Sequence, residues 1–306
     1  MDGGTMGDGT DAKQRFIRIG RSGVGTFNQT GGDIELGNQF NSAIEVGINE
    51  GSTGTYNFSG GSASMQRITV GMEGSGTLNL SGTAELTANE FGTLTLVGGD
   101  TPTGQGTVNL DGGLLTVNQI QTLAADPSVS ESIFNFNGGT LRPFSGSLGA
   151  TFMQGLTEVN ILSGGAFIDT DGFNITIAQA FQGDGDLTKL GEGTLTLASD
   201  SNASTGGLII EEGTVSIEHA SFLDSSATIN IFDGATLDMD FADTLTVSAL
   251  ILDGEEQVIG TYDASTSGAF LSGDGTISVI PEPSGVMLFG LALLTAGAAR
   301  RRRSFN

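Results

Sequence analysis

The chain lacks several residue types on which whole classes of protein depend. Its 306 residues include no cysteine, no tryptophan and one histidine, with only five prolines and two tyrosines. Without cysteine there can be neither a disulfide bond nor a thiolate metal site, whichever compartment the protein occupies. Fifty glycines with so little proline are typical of short strands and tight turns, and the glycines have no collagen-like triplet period.

Basic residues are the second shortage. Eleven lysines and arginines face 35 aspartates and glutamates, which gives a formal charge of -24. Four of the eleven lie at 300–303, beyond the last acid, so the preceding body carries 7 basic against 35 acidic residues, a net -28. Such a surface repels nucleic acid and anionic lipid, because binding either depends on Lys and Arg displacing counterions. We predict no nucleic-acid partner, and no Walker loop, zinc spacing or nucleophile elbow is present.

A repeat, by contrast, runs through most of the chain. Gly-Thr-apolar-Asn occurs at 25–28, 54–57, 76–79 and 106–109, and glycine follows each copy within a few residues. Looser copies place asparagines at 135, 160 and 230. Successive asparagines from Asn28 to Asn160 are 29, 22, 30, 26 and 25 residues apart. A recurrence of about 20–50 residues indicates an array of stacked supersecondary units.

Apolar residues alternate within each repeat, as at Phe16–Ile19, Thr26–Gln29 and Ile34–Leu36. This is the period of strands with one buried face. About three such strands per repeat, separated by glycines that can turn tight corners with positive φ, predict one coil of a parallel β-helix. The recurrent asparagine would stack from coil to coil, and at an inward or corner position its amide could bond to its neighbours. A Greek-key sandwich also uses short strands, but it gives no reason for the motif to recur.

A more specific pattern lies at 187–217. Leu-Thr-Lys-Leu-Gly-Glu-Gly-Thr-Leu-Thr-Leu at 187–197 is followed by Ser-Thr-Gly-Gly at 204–207 and Gly-Thr-Val-Ser-Ile at 213–217. This resembles the autotransporter-associated β-strand repeat, except that Ala203 and Ser204 stand where an aromatic residue usually precedes Thr-Gly. The resemblance implies a right-handed parallel β-helix at a cell surface, and it implies nothing about catalysis.

The C-terminal segment has three parts in a fixed order. Pro281, Glu282 and Pro283 are followed by the uncharged apolar run 285–299 and then by Arg300, Arg301, Arg302 and Arg303. This order resembles the PEP-CTERM sorting signal. The resemblance implies a helix held transiently in the inner membrane, arginines that remain cytoplasmic, and processing at the proline motif by an exosortase-type enzyme.

The apolar run is short for a stable anchor. As a helix, fifteen residues span roughly 22 Å, less than the ~30 Å hydrocarbon core. The alternative is a helix packed on the last coil, which four consecutive arginines and an all-apolar surface do not suit. We therefore divide the chain into a β-helix array at 12–280 and a sorting segment at 281–306.

The N-terminal residues Met1–Asp11 have neither the basic nor the apolar region of a signal peptide. The strand pattern begins soon afterwards, at Ile17. We expect a chain that starts inside its own array, from an incomplete gene or an excised piece, and a true start without a secretion signal is the alternative.

Some parallel β-helices are pectin lyases or polysaccharide hydrolases, so carboxylate pairs are candidate catalytic groups. Asp-x-Asp occurs at 169/171, 184/186 and 238/240, and on an extended strand both carboxylates would share one face. An acidic sugar would also need cationic or histidine partners, of which the body has few: Lys13, Arg15, Arg18, Arg21, Arg67, Arg142, Lys189 and His219. We interpret the pairs as turn residues or weak calcium contacts, and His219 as a solvated loop residue.

Together these patterns predict a non-enzymatic, secreted or cell-surface β-helix that serves as an adhesin-like scaffold of the extracellular matrix. We expect no cofactor. The expected partners are an exosortase-type enzyme and, transiently, the inner membrane, with extracellular polysaccharide as a further candidate. The alternatives are a polysaccharide-binding module, which would need an exposed aromatic stripe, and a pectin-lyase-like enzyme.

Overall fold

Short β-strands wind into a coil along the whole described chain. The computed structural model describes residues 2–6, 15–37, 42–98, 103–124, 128–145, 151–200 and 203–280. Within these ranges there are thirty strands and two 3-10 turns, Ala220–Phe222 and Gly268–Phe270, and no α-helix.

The N-terminal strands are β1 (Asp2–Met6), β2 (Arg15–Ile19), β3 (Val24–Gln29), β4 (Gly31–Glu35), β5 (Ser42–Val46), β6 (Thr53–Val70), β7 (Ser75–Leu96), β8 (Gln105–Leu110), β9 (Leu114–Val117) and β10 (Gln119–Thr122). The central strands are β11 (Glu131–Phe136), β12 (Thr140–Pro143), β13 (Met153–Gln154), β14 (Glu158–Ile161), β15 (Ala166–Asp169), β16 (Ile175–Ala178), β17 (Gln182–Gly183), β18 (Leu187–Leu190), β19 (Thr194–Leu197) and β20 (Ala203–Ser204). The C-terminal strands are β21 (Leu208–Ile210), β22 (Thr214–Ile217), β23 (Thr228–Ile231), β24 (Thr236–Met239), β25 (Thr244–Val247), β26 (Ala249–Leu252), β27 (Glu255–Glu256), β28 (Gly260–Tyr262), β29 (Leu271–Gly273) and β30 (Thr276–Val279).

Parallel pairing between successive coils divides the strands among three faces. Face 1 contains β3, the first parts of β6 and β7, β8, β11, β14, β17 and β20. Face 2 contains β1, β4, the middle parts of β6 and β7, β9, β12, β15, β18, β21, β23 and β26. Face 3 contains β2, β5, the last parts of β6 and β7, β10, β13, β16, β19, β22, β24 and β29. The parallel β-solenoid predicted from the repeat is confirmed.

The core lies inside the coil, because every second residue of a strand points inward. On face 1, Tyr56, Leu78 and Val108 pair in register and are fully buried. Aromatic rings continue this column, with the Phe134 and Phe136 centroids 4.7 Å apart. Full burial of one such side chain stabilises the fold by ~1.5–3 kcal/mol, so the long interior column is the main source of stability.

β6 and β7 differ from the predicted pattern of separate short strands. They run for 18 and 22 residues and pass through all three faces. The register between them shifts between Phe58 and Gly60 and again between Met65 and Arg67. Such irregularities bend a strand without ending its hydrogen bonding, which explains why the sequence suggests three elements where the backbone forms one.

Antiparallel strands interrupt the parallel pattern near the C-terminal end. β25 and β30 pair in parallel in a separate three-stranded sheet, and β28 pairs antiparallel to β30. β27 pairs antiparallel to β26, the last strand of face 2. These two short strands occupy edges on which another coil would otherwise stack.

Candidate functional site

The predicted sorting segment begins where the described solenoid ends. β30 ends at Val279, and Ile280 follows it with 43% of its surface exposed. The predicted motif, helix and basic cluster all lie outside the described residues: Pro281, Glu282 and Pro283, the run 285–299, and Arg300, Arg301, Arg302 and Arg303. Among the residues that are described, no helix is long and apolar enough to cross a membrane.

The asparagines of the repeat form a ladder on the outer side of face 1. Each donates its Nδ2–H to the Oδ1 of the asparagine one coil earlier, over 2.7–2.9 Å, through Asn28, Asn57, Asn79, Asn109, Asn135 and Asn160. The predicted bonding between stacked amides is therefore confirmed. The inward or corner orientation is wrong, because Tyr56 and Phe58 take the inward positions on either side of Asn57.

The outer surface of face 1 also carries a second polar row. Thr55, Thr77 and Thr107 pair in register two residues before the asparagines, and they are half-buried like them. The threonine row ends at Thr107, whose partner in the next coil is Ile133, whereas the amides repeat about every 4.8 Å through all six coils of the ladder. Each amide inside the ladder still has one N–H and one oxygen lone pair for another partner. These groups make the outer side of face 1 a polar, hydrogen-bonding surface.

Replacing Asn79 by alanine should cost about 1 kcal/mol of unfolding free energy, because it removes the donor to Asn57 and the acceptor of Asn109 while water can reach both. The matched control is Thr77→Ala, which truncates the neighbouring outward residue on the same strand and breaks no ladder bond. Denaturant titrations of the two variants should differ by that amount. Equal losses would show that the ladder contributes nothing beyond strand propensity.

The first Asp-x-Asp pair does not present two carboxylates on one strand face. Asp169 accepts hydrogen bonds from Arg142 Nε and Nη2 at 3.0 and 2.6 Å, across one coil boundary. Asp171 lies in the following turn with φ of 49° and donates its backbone N–H to Asp169 Oδ1 at 2.9 Å. Asp171 is therefore a turn residue, as expected, whereas Asp169 is the last residue of β15.

The other two pairs are likewise tied to neighbouring coils. Asp186 accepts the backbone N–H of Gly207 at 2.7 Å. Asp238 accepts hydroxyl hydrogen bonds from Ser216 at 3.2 Å and Ser272 at 2.7 Å, one from the coil on each side. In each of these pairs one carboxylate, that of Asp186 or Asp238, therefore has structural partners. The other aspartate, Asp184 or Asp240, is exposed to solvent.

Acidic side chains do converge at one open concavity of about 570 Å³. Its walls include Asp169, Asp171, Glu192 and Glu212. Within the described ranges, no three His, Asp or Glu side chains stand close enough to hold a metal ion.

Several of the body's cations are engaged with acids. Glu45 accepts Arg18 Nε at 2.8 Å and lies 3.6 Å from Arg67 Nη2. Arg142 is held by Asp169. His219 is exposed just before the turn Ala220–Phe222, as predicted for a solvated loop residue. Of Arg18, Arg67, Arg142 and His219, only Arg142 is bonded to an Asp-x-Asp pair.

Lys189 has a role that the sequence interpretation missed. It pairs in register with Ile168 and Ile210 and, like them, is fully buried. Its Nζ donates to the backbone carbonyls of Leu190, Gly191 and Glu212 at 3.1, 2.5 and 3.1 Å. The ammonium thus joins the corners of two adjacent coils from inside. The sequence could have indicated this inward position, because Lys189 lies on the same strand face as Leu187 and two residues before Gly191.

Burial lowers the pKa of Lys189 from 10.5 to about 8, whereas the nearby charges of Asp169, Glu192 and Glu212 raise it. The three carbonyl acceptors also favour the protonated form. A charged group at this position needs such partners, because an isolated ammonium in an apolar interior is very unfavourable.

Comparison with known protein families identifies two segments. Residues 187–217 match the passenger-associated-transport-repeat, and this range contains Lys189 and its corner. Residues 279–303 match the PEP-CTERM protein-sorting motif. No curated protein and no solved structure matches the chain.

Both matches fall where the sequence patterns predicted them, one within the solenoid and one that begins at the last residue of its last strand. A PEP-CTERM motif implies processing by an exosortase-type system. The chain is therefore a secreted or cell-surface β-solenoid protein that carries a passenger-associated-transport-repeat and a PEP-CTERM sorting motif.

Proposed function

We propose that the protein is a non-enzymatic scaffold or adhesin-like component of the extracellular matrix, delivered by its C-terminal segment and processed near Pro281–Pro283. The observation that carries this proposal is the join between a long solenoid and a sorting motif. The parallel ladder continues to β29 and β30, and the motif match begins at residue 279, within the last strand. A solenoid joined to a C-terminal segment that can be cleaved off suits a matrix component that is exported and then remains outside the cell.

The polar contacts of the solenoid favour a structural role over catalysis. Asp169 and Asp238 each accept hydrogen bonds from neighbouring coils, and Lys189 is buried against backbone carbonyls. A general acid or base must reach the proton it transfers and have a pKa suited to that task. If Asp169→Asn and Asp238→Asn abolished a measured release of reducing sugars or unsaturated products, the non-enzymatic proposal would be wrong.

Protein recovered outside the cell should end near Pro283, because cleavage there removes the apolar run and all four arginines. Intact-mass spectrometry of the extracellular fraction measures this directly. The matched control replaces Pro281 and Pro283 by alanine, which should leave the full-length mass in the membrane fraction and little protein in the matrix. Extracellular protein that retains Arg300–Arg303 would contradict tail processing.

Polysaccharide binding is a second candidate, and the polar rows of face 1 favour it. Their hydroxyl and amide groups are periodic and partly exposed, as a repetitive glycan would require. The aromatic platform usual in such sites has less support. Tyr56 is fully buried, and the exposed rings of Phe144 and Phe232 follow strands four coils apart, β12 and β23. Tight binding on a glycan array that Thr77→Ala and Asn79→Ala both weaken would favour this role over a purely structural one.

A further inference from the structure

Large aliphatic side chains surround the point where the chain leaves its last strand. Val258, Ile259 and Ile280 expose 79%, 67% and 43% of their surfaces. β28 runs antiparallel to β30 with Gly260 opposite Val279. Val258, Ile259 and Val279 line one shallow concavity beside this pair of strands, and Ile280 directly follows Val279. We call Val258, Ile259 and Ile280 the apolar platform.

Hydrogen bonds hold the platform loop in this exposed arrangement. The backbone N–H of Gln257 donates to Leu250 O at 2.8 Å, and its side chain donates to Glu255 O at 2.8 Å. Tyr262 Oη donates to Val258 O at 2.6 Å. The loop backbone is thus fixed on both sides of Val258. The exposure of the aliphatic side chains is therefore a property of an ordered loop.

Chain length determines what lies opposite the platform when the tail is inserted. Four residues, 281–284, separate Ile280 from the apolar run that begins at Gly285. Fully extended, this connection spans at most about 18 Å. If the run enters the bilayer, Ile280 must lie within that distance of the hydrocarbon, and so must the adjacent platform. The headgroup layer is only several ångströms thick on each side.

We propose that the apolar platform contacts the lipid bilayer while the tail is inserted, and that it holds the processing motif at the membrane surface. The inference rests on the proposed tail-directed sorting. Glu255 and Glu256 are exposed beside the platform, so the contact is apolar and does not require anionic lipid. A patch of three side chains is too small to anchor a protein alone, and cleavage of the tail therefore releases the solenoid.

The absence of cysteine makes a site-specific test possible in the full chain. Val258→Cys, labelled with an environment-sensitive fluorophore, is reconstituted with its tail into phosphatidylcholine vesicles. The control is Val129→Cys, another exposed valine, at 53% exposure, just before β11. It lies six coils before β30, or about 29 Å along the axis. We expect blue-shifted emission at 258 and at least about 2-fold stronger quenching by nitroxide-labelled lipid than at 129.

The outcomes separate the platform from the tail. If the chain floats with the vesicles but is quenched equally at 258 and 129, the proposed contact between the platform and lipid is wrong, and tail anchoring still holds. A chain that does not float overturns tail anchoring, and the platform with it. In cells, Val258→Ser with Ile259→Ser should slow motif cleavage several-fold without loss of folding. Slower cleavage without lipid quenching would instead assign the contact to a protein and overturn the lipid proposal.

Discussion

Replacing Gly76 by alanine should destabilise the solenoid by at least about 3 kcal/mol. A methyl group at this position would lie 2.3 Å from the backbone nitrogen of Gly71 and 2.4 Å from the carbonyl oxygen of Val46. These two backbone atoms are hydrogen-bonded to each other across the coil boundary, Gly71 N–H to Val46 O at 2.7 Å, so neither can move without breaking that bond. Denaturant unfolding with circular dichroism should show the loss, and hydrogen exchange should place it in the coils around β6 and β7.

The matched control is Gly260→Ala. The nearest heavy atoms to a methyl group there belong to the Tyr262 side chain, 3.7 Å away, which is ordinary van der Waals contact. This variant should change the unfolding free energy by about 1 kcal/mol or less. Equal behaviour of the two variants would mean that close coil packing does not explain the glycine of the repeat.

Gly76 also shows what the sequence could not reveal about the repeat. Positive φ at corners was the predicted reason for glycine, and it holds for Gly71, whose φ is 76°. Gly76 has no such backbone conformation, and its reason is the approach of two other chain segments. That approach depends on how one coil rests on the next, which no local pattern of residues describes. The recurrence of glycine could be recognised in the sequence, whereas the physical reason for glycine at this position could not.

For the asparagine ladder, too, the sequence revealed one property of the repeated residue and not another. The spacing of Asn57, Asn79 and Asn109 was sufficient to predict stacked amides, because a solenoid puts equivalent residues in register. Their orientation was not predicted correctly, since an asparagine between two apolar residues fits either a buried polar ladder or an outward row. The alternation at Tyr56 and Phe58 decides it, and those two residues are inward.

The sorting segment was predicted because its motif, apolar run and basic cluster resemble the PEP-CTERM signal, and its family match agrees. It needs no tertiary structure to be read, because its parts are adjacent in sequence. The apolar platform, in contrast, joins Val258 and Ile280, which are brought together only by the antiparallel pairing of β28 with β30. Lys189 belongs to the second kind of feature, because its acceptors include the carbonyl of Glu212 in the next coil.

Replacing Lys189 by methionine should cost about 2–4 kcal/mol at pH 7, despite the similar length and greater apolarity of the new side chain. Leu190 O would keep the backbone N–H of Thr170 as a donor at 3.0 Å. The carbonyls of Gly191 and Glu212 would lose the Nζ donor in a buried corner, and an unsatisfied buried acceptor costs about 1–3 kcal/mol. The loss should appear as a lower denaturant midpoint with the slope unchanged. A variant as stable as the native chain would show that water can enter the corner and replace the ammonium.

The pH dependence of this loss provides an independent check. The pKa of Lys189 falls from 10.5 to about 8 on folding. Between these values the unfolded chain binds a proton that the folded chain does not, so the free energy of unfolding rises with pH, by at most about 1.4 kcal/mol per pH unit. The methionine variant lacks this group while its other titrating groups are unchanged. Its deficit relative to the native chain should therefore grow from pH 7 to pH 10. Parallel profiles would mean that the carbonyls and the carboxylates of Asp169, Glu192 and Glu212 keep the ammonium charged throughout.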